Sequence, residues 1–437
     1  MEFVTEQIEI VGEYNGEAIA NPLPFPEPVI VDGALQKLRV QDNGGVVAER
    51  ACIICNQYVF ELGRMLKEAI YGQVHCGCRL EPVGEGVYRR TSDLVAVKII
   101  SKAKLRQLAG RTQEDPLKEM AALQFVGNNH PNIMGQICCI SNQTHYFSVM
   151  RFCNGGELYD YVDANGVMSE PLARRLFSQI LSGLEHLQLI GVCHRDMSLE
   201  NLMITKDMTC IIIDMGMSLR LPRHEESEEV YLIPRQGPCG KKNYIAPEIL
   251  RNELYGQLVD MWSIGVISYI LLAGYAPFYH ENESQQFKMI MKGDYEFHDD
   301  AWGGVSDIAK DFIKTLLQVN PINRSTAEKA LEHPWLTVED ERLRSNTLSV
   351  TLVNLRKFQA LRKFRVTATA VVAAKKFKKF SQNSTNQSTL TTPSQSLPPP
   401  PPPPQTTTTS TITSNQSQQT NSPYYLDPND IPLETDV

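Results

Sequence analysis

The stretch His194-Arg-Asp-Met-Ser-Leu-Glu-Asn201 constrains this chain more than any other part of it. It places a carboxylate, Asp196, and an amide, Asn201, on one short segment, and Asp214-Met-Gly216 begins thirteen positions after Asn201. The apolar run from Thr209 to Ile213, which precedes Asp214, predicts a strand. The pattern thus predicts two neighbouring loops that carry a candidate proton acceptor and oxygen ligands for a hard cation.

Length and charge exclude several classes of protein. A chain of 437 residues is long enough for one large two-lobed domain with extensions. The formal net charge of −8 gives no strong attraction to nucleic acid, and we expect no nucleic-acid partner. The acidic first twenty residues do not resemble a signal peptide, and the longest apolar candidate, Met261 to Leu272, is too short to span a membrane. We therefore expect an intracellular protein without a transmembrane segment, in the cytoplasm or, alternatively, in the nucleus or at a membrane surface.

The ten cysteines are expected to stay reduced in such a compartment. Cys52-x-x-Cys55 and Cys76-x-Cys78 allow a zinc site. The second pair alternates along a predicted strand, however, and no Cys/His pair with finger spacing accompanies it. We favour ordinary packing for these thiols.

The composition divides the chain into four segments. Residues 1–55 are acidic and contain prolines, which predicts a flexible or loosely packed lead-in. Residues 58–336 have the pattern of a mixed domain, β-rich at first and then helical. Residues 342–380 form a basic amphipathic stretch, and residues 381–437 have the composition of a disordered tail with a proline run at 398–404. This run favours a solvated spacer, with an SH3- or WW-type module as the alternative partner.

The mixed domain resembles the serine/threonine protein kinases, which implies a bilobal α+β fold with a β-rich small lobe and a helical large lobe. The resemblance rests on motifs in the order that the family has them. Beyond the two loops above, they are Val95-Ala-Val-Lys98, Glu119, Ala246-Pro-Glu248, Asp260-Met-Trp-Ser-Ile-Gly265 and Ala330-Leu-Glu-His-Pro-Trp-Leu336. Glu248 is expected to pair with Arg324. The segment that begins at Asp260 is expected to anchor the catalytic loop, residues 194–201.

The resemblance implies ATP and Mg²⁺ as cofactors and assigns the central roles. Lys98 would contact the α- and β-phosphates, held in place by Glu119. Asp196 would orient the substrate hydroxyl and accept its proton, while Asn201 and Asp214 would bind Mg²⁺.

The nucleotide pocket is assigned in the same way. Its expected members are Gly72, Val74, Ala96, the hinge residues Met150, Arg151 and Cys153, and Glu157 just beyond the hinge. In this family the arginine beside the catalytic aspartate, here Arg195, usually binds a phosphorylated residue. In this chain Ser227 is the candidate for that residue.

Several residues depart from the family pattern. Only the third glycine of the phosphate-covering loop, Gly72, is kept in Lys67 to Val74, which predicts weakened nucleotide binding. Met215 replaces the usual phenylalanine. Ser198 stands where a lysine is usual, and Lys241 where a threonine is usual. We hypothesise that the two changes are an exchange in which Lys241 supplies the missing charge at the γ-phosphate; the alternative is a solvated Lys241.

Substrate and regulation follow from further resemblances. In related kinases the acids matching Glu157 and Glu200 bind arginines upstream of the phosphorylated residue, so basic protein substrates are expected. Residues 350–380 resemble the autoinhibitory, calmodulin-binding region of calcium/calmodulin-dependent protein kinases. Binding of acidic lipid and a structural closing helix remain alternatives for this segment. A pseudokinase, with the fold but little catalysis, is the alternative for the whole chain.

Overall fold

The structure is a computed structural model. It describes residues 10–14, 17–42, 44–109, 115–165, 169–223, 230–234 and 240–337. The predicted regulatory segment, the tail with its proline run, and Ser227 lie outside the described residues. No helix among the described residues is long and apolar enough to cross a membrane.

The small lobe is built mainly from β-strands. Its elements are β1 (Ile10–Tyr14), β2 (Glu17–Ala20), β3 (Val31–Asp32), β4 (Ala34–Gln41), β5 (Val47–Cys55), β6 (Tyr58–Ala69), β7 (Gly72–Gly84), β8 (Val87–Ser101), α1 (Lys102–Leu108), α2 (Pro116–Val126), β9 (Gln136–Ser141) and β10 (His145–Arg151). β1 and β2 form a separate hairpin, whereas β3 to β10 belong to one eight-stranded sheet in the order β3-β9-β10-β8-β4-β5-β6-β7. The motif Val95-Ala-Val-Lys98 lies in the second half of β8.

Five strands of this sheet close into a ring. β7 pairs with β8 as well as with β6, and β4 pairs in parallel with the start of β8. Apolar side chains from the ring strands meet in one cluster, which includes Val40, Cys52, Val59, Cys78 and Leu80. Closure gives each of the five strands two neighbours, although β4 meets β8 over three residues and β5 meets β6 over four.

An ion pair with a buried carboxylate and a partly exposed arginine lies beside this cluster. Glu61 is 5% exposed, and Arg90 donates to its two carboxylate oxygens at 2.5 and 2.6 Å. The paired hydrogen bonds compensate for taking the carboxylate out of water.

The sequence prediction of a loose lead-in is wrong for residues 31–55. β3, β4 and β5 are part of the main sheet, and Cys52 and Ile53 are fully buried. The composition misled because the prolines are concentrated in residues 22–28, before the strands begin.

The large lobe is mostly helical. Its helices are α3 (Leu158–Asn165), α4 (Glu170–Leu189), α5 (Pro247–Leu250), α6 (Leu258–Ala273), α7 (Glu283–Lys292), α8 (Asp299–Trp302), α9 (Asp307–Leu316), α10 (Ala327–Leu331) and α11 (Pro334–Thr337). Short strands lie around the cleft: β11 (Gly156–Glu157), β12 (Val192–Cys193), β13 (Leu202–Ile204), β14 (Cys210–Ile212) and β15 (Leu219–Arg220).

Two helices form the centre of the large-lobe core. Residues Val259 to Ala273 of α6 are all buried, as expected of a helix that is apolar on every side. α4 buries a stripe with helical spacing that includes Leu176, Phe177 and Ile180. Both helices lie in the part of residues 58–336 for which the sequence predicted helical structure.

Candidate active site

The catalytic loop is held by α6. Asp260, in the first turn of α6, accepts hydrogen bonds from the backbone N–H groups of His194 (2.7 Å) and Arg195 (2.8 Å). Burial raises the pKa of the Asp260 carboxyl, while the nearby His194 and the hydrogen bonds act in the opposite direction. Arg195 has a φ of +66°, a strained value that this clamp maintains. The predicted anchoring of the loop by this helix is confirmed.

Asp196 and Asn201 are held together at the mouth of this loop. The Asn201 amide Nδ2 donates to the Asp196 backbone oxygen at 2.7 Å and to its carboxylate Oδ2 at 2.9 Å. The 3-10 helix Leu199–Asn201 makes this return possible within five residues. Asn201 Oδ1 is thereby oriented away from Asp196, since Nδ2 is the group engaged.

The electrostatics of Asp196 suit a proton acceptor. Burial raises the pKa of this carboxyl to about 6, and the negative charge of Asp214 contributes in the same direction. Lys241, His194 and the Asn201 hydrogen bond lower it. A carboxylate with a pKa near 6 is ionised at neutral pH yet more basic than an ordinary aspartate, which favours general-base chemistry.

Asp214 follows β14, as the sequence predicted. Its side chain is exposed in the cleft, its φ is +67°, and its Oδ1 accepts from Gly216 N–H at 3.1 Å. Met215 is fully buried in the large-lobe core, so the thioether fills the place of the usual phenylalanine.

Lys98 and Glu119 form an ion pair across the small lobe. Lys98 Nζ lies 2.5 Å from Glu119 Oε2, with side-chain exposures of 24% and 15%. Glu119 is placed by α2, whose first turn is capped by the Asp115 side chain. The pair fixes a long, otherwise flexible cation at the cleft.

Strand register places several predicted pocket residues on one face. Lys98 lies opposite Val74 on one side and Ser148 on the other, and Ala96 lies opposite Met150. Directly opposed residues of antiparallel strands project to the same side of a sheet. Val74, Ala96, Lys98 and Met150 therefore share a face.

At the hinge, Arg151 points away from the nucleotide side. Its guanidinium donates to the backbone oxygens of Ile133 (2.5 Å) and His130 (3.3 Å). The predicted contribution of Arg151 to nucleotide binding can thus come from its backbone. Cys153 is buried in the large-lobe core, and β11 positions Glu157 opposite Met203, shortly after the catalytic loop.

The expected phosphate-covering loop is a tight hairpin turn. Ala69 pairs with Gly72, so only Ile70 and Tyr71 connect β6 to β7. Tyr71 is 5% exposed and belongs to one apolar cluster with Met120 of α2. A Cβ on Gly72 would lie 1.8 Å from Ile99 O, so this glycine permits close approach of two strands. The close approach of two strands therefore explains why a glycine is found at position 72, without any role in phosphate binding.

Lys241 contacts the Ser198 and Glu200 side chains of the catalytic loop. Its Nζ lies 2.9 Å from Ser198 Oγ and 2.9 Å from Glu200 Oε2. The two positions of the hypothesised exchange are thus in direct contact. The contact with Glu200 was not anticipated from the sequence.

Arg195 has neighbours that sequence reasoning missed. Its guanidinium donates to Met217 O at 2.7 Å and to the Tyr255 hydroxyl at 3.1 Å. Lys118, beside Glu119 on α2, has a pKa lowered by burial and then by the positive charge of Arg195. In the sequence, only its position next to Glu119 points to a role for Lys118 at the site. Nothing in the sequence around Tyr255 indicates that this residue contacts Arg195.

The chemistry of the donor set fits ATP and Mg²⁺ in part. Asp214 and Asn201 offer oxygen ligands, and Mg²⁺ is usually bound by one or two carboxylates together with phosphates. The described residues contain no group of three or more His, Cys, Asp or Glu side chains suited to a metal. Lys98 supplies a fixed cation, whereas the tight β6–β7 turn does not provide a glycine cradle.

Comparison with known proteins agrees with this geometry. Residues 81–336 match the protein kinase domain family. The chain is 35% identical over 311 residues to calcium/calmodulin-dependent protein kinase type I of Schizosaccharomyces pombe, covering 70% of this chain and 89% of that protein. It is 38% identical over 258 residues to a probable myosin light chain kinase of Dictyostelium discoideum, covering 58% of this chain and 62% of that protein.

The fold also matches a solved structure. The kinase region of twitchin from C. elegans superposes with a TM-score of 0.57 at 24% identity, covering 76% of this chain and 52% of that one. This likeness concerns the fold alone, and it confirms the bilobal α+β arrangement expected from the sequence.

Proposed function

Since this chain is a member of the protein kinase family, we propose that it transfers the γ-phosphate of ATP, in the presence of Mg²⁺, to serine and threonine hydroxyls of proteins. The observation that carries the proposal is the geometry around Asp196. A partly buried carboxylate with a pKa of about 6 is held by Asn201, and the Lys98–Glu119 pair is formed.

Each residue has a defined task in such a transfer. Asp196 orients the substrate hydroxyl and takes its proton late in the reaction, when the oxygen has become acidic. Lys98 holds the phosphates in line, and Glu119 keeps its ammonium in that place. Asn201 and Asp214 would hold the metal, which would supply positive charge to the phosphate oxygens.

Lys241 takes over the role of the lysine that is usual in this family at the position of Ser198. Its ammonium is placed by Ser198 Oγ beside Asp196, whose pKa it lowers. A positive charge in that position stabilises the charge that develops on the transferred phosphoryl group. Ser198 itself is fully buried and orients Lys241.

Calcium–calmodulin is the proposed regulator. Residues 351–380 carry nine Lys and Arg residues, no acid, and apolar residues at helical spacing. Relatives that carry calmodulin in their names support this proposal. Displacement of the segment by calcium–calmodulin would expose the substrate site.

The test is a phosphorylation assay on serine peptides with ATP and Mg²⁺, with and without calcium–calmodulin. We expect transfer by the wild type, stimulation by calcium–calmodulin, and loss of transfer in Asp196→Asn. No transfer by the wild type in either condition, with ATP binding retained, would identify the chain as a pseudokinase. If calcium–calmodulin does not change the rate of transfer, the proposed regulation is excluded while the proposed kinase activity stands.

A further inference from the structure

Glu200 lies where related kinases bind a basic side chain of the substrate. It is the middle residue of the 3-10 helix Leu199–Asn201, four residues after Asp196. β13 follows this helix directly and pairs with β11, which carries Glu157. Both acids therefore lie close to the catalytic loop, and the family resemblance implies that they meet the substrate chain upstream of its hydroxyl.

The Glu200 carboxylate is already engaged by a cation of the chain itself. Lys241 Nζ lies 2.9 Å from Glu200 Oε2, and each side chain is 19% exposed. At this burial, solvent screens the pair less than it screens a surface pair. By contrast, the adjacent Lys242 pairs with Glu283 on the surface, with exposures of 62% and 51%.

The backbone beside Lys241 makes this contact specific. Gly240 has a φ of +77°, and a Cβ there would lie 2.9 Å from Arg195 O. Only glycine allows the chain to approach the catalytic loop so closely in this conformation. Lys241 O also accepts from Tyr244 N–H at 2.8 Å, which closes a turn. Lys241 is thus directed at the catalytic loop, and Ser198 provides its second acceptor.

We propose that Lys241 occupies the subsite of Glu200 as an internal substitute for a basic substrate residue, so that this kinase does not select arginine there. A substrate arginine at this subsite would have to displace Lys241 and would exchange one ion pair for another. Its net gain is therefore small. The inference rests on the proposed function, and it replaces the expectation that Glu200 itself reads a basic residue.

The experiment compares serine peptides that carry Arg, Ala or Glu at each upstream position. The quantity measured is the ratio of kcat/KM for the Arg and Ala peptides within each variant, because this ratio does not depend on how far overall activity falls. For wild type we expect a ratio near one at the position facing Glu200. For Lys241→Gln we expect it to rise by about tenfold or more, the gain of a charge-assisted hydrogen bond.

Three further variants control the result. Lys241→Arg keeps the charge and should keep the wild-type ratio. Lys242→Gln removes the neighbouring exposed lysine and should also leave it unchanged. In the double variant Lys241→Gln with Glu200→Gln, the acquired preference should disappear, which assigns it to Glu200.

Two outcomes would overturn the proposal. One is a wild-type preference for Arg of tenfold or more that Glu200→Gln abolishes. The other is an unchanged ratio in Lys241→Gln. If wild type phosphorylates no peptide, the proposed function fails; the same ratio is then measured from peptide dissociation constants by fluorescence anisotropy, which needs no phosphoryl transfer.

Discussion

Glu248 and Arg324, 76 residues apart, form a two-point ion pair inside the large lobe. The two guanidinium nitrogens lie 2.7 and 3.0 Å from the two carboxylate oxygens, and the side chains are 0% and 2% exposed. The pair was predicted from the sequence and is confirmed. It connects α5, which contains Glu248, to the residues before α10.

Breaking this pair should destabilise the domain strongly. Arg324→Ala leaves a buried carboxylate without its partner, and we expect a loss of about 3–5 kcal/mol in the free energy of unfolding. Chemical denaturation followed by tryptophan fluorescence measures it. Lys242→Ala, in the exposed pair with Glu283, should change it by less than about 1 kcal/mol. Equal effects of the two substitutions would contradict the assignment.

Removing the Lys98 ammonium should abolish phosphoryl transfer without unfolding the protein. Lys98→Met keeps the length of the side chain but leaves the phosphates without a positioned cation, and we expect a fall in kcat/KM of about 100-fold or more. Lys102→Met is the matched control. Lys102 bonds Ser141 Oγ at 2.6 Å, outside the cleft. A comparable loss in the control variant would argue against a specific role.

The pH dependence of activity should report Asp196. Because the ionised carboxylate is the active form and its pKa is about 6, kcat/KM should decline as the pH falls through 6. Lys241 lowers this pKa, so Lys241→Gln should move the acidic limb to higher pH. A rate profile that is flat between pH 5 and 7 in the wild type would be inconsistent with this role.

Asp196 should also cost stability at neutral pH. Its folded pKa of about 6 lies above the ordinary value of 3.8, so the folded state binds this proton more tightly than the unfolded state does. Its contribution is therefore most favourable below pH 3.8 and is lost as the pH rises through 6. Asp196→Asn should be more stable than wild type at pH 8 by on the order of 1–3 kcal/mol, and by much less at pH 4. Melting temperatures at the two pH values test this.

The N-terminal strands should be needed for a stable small lobe. Val40 of β4 is 2% exposed within the ring cluster, and Val40→Asp would bury an unpaired charge at a cost of several kcal/mol. Val47 on β5 is 41% exposed, and Val47→Asp should be nearly neutral. Thermal unfolding of the two variants gives the comparison. Equal tolerance of both would show that residues 31–55 are dispensable.

Most of the site could be predicted from local motifs. Contacts between residues that are distant in the sequence could not be predicted in this way. Asp196, Asn201 and Asp214 could be placed because their spacing fixes two adjacent loops. An exchange between Ser198 and Lys241 could be hypothesised because both positions deviate from one pattern, and the structure shows the two side chains in contact. The contact of Lys241 with Glu200 depends on the path of the backbone at Gly240, which no composition or periodicity reveals.

The small lobe shows the same limit. β4 pairs with the start of β8 across nearly fifty residues, in parallel, between Arg39 and Val87. Its sequence, ALQKLRVQ, has weak alternation and many polar residues, so the strand gives little signal by itself. Closure of the ring, rather than local propensity, makes it a strand.

The closed ring has a consequence for how this protein meets other chains. An open sheet presents unpaired N–H and C=O groups along its outer strand, and these can recruit a strand from another molecule. In the ring of β4 to β8 these groups are best paired in β7, which pairs with β6 on one side and with β8 on the other between Gly72 and Leu80. Along this part of β7, strand addition by a peptide or by a second copy is therefore blocked, and any contact made there must use side chains.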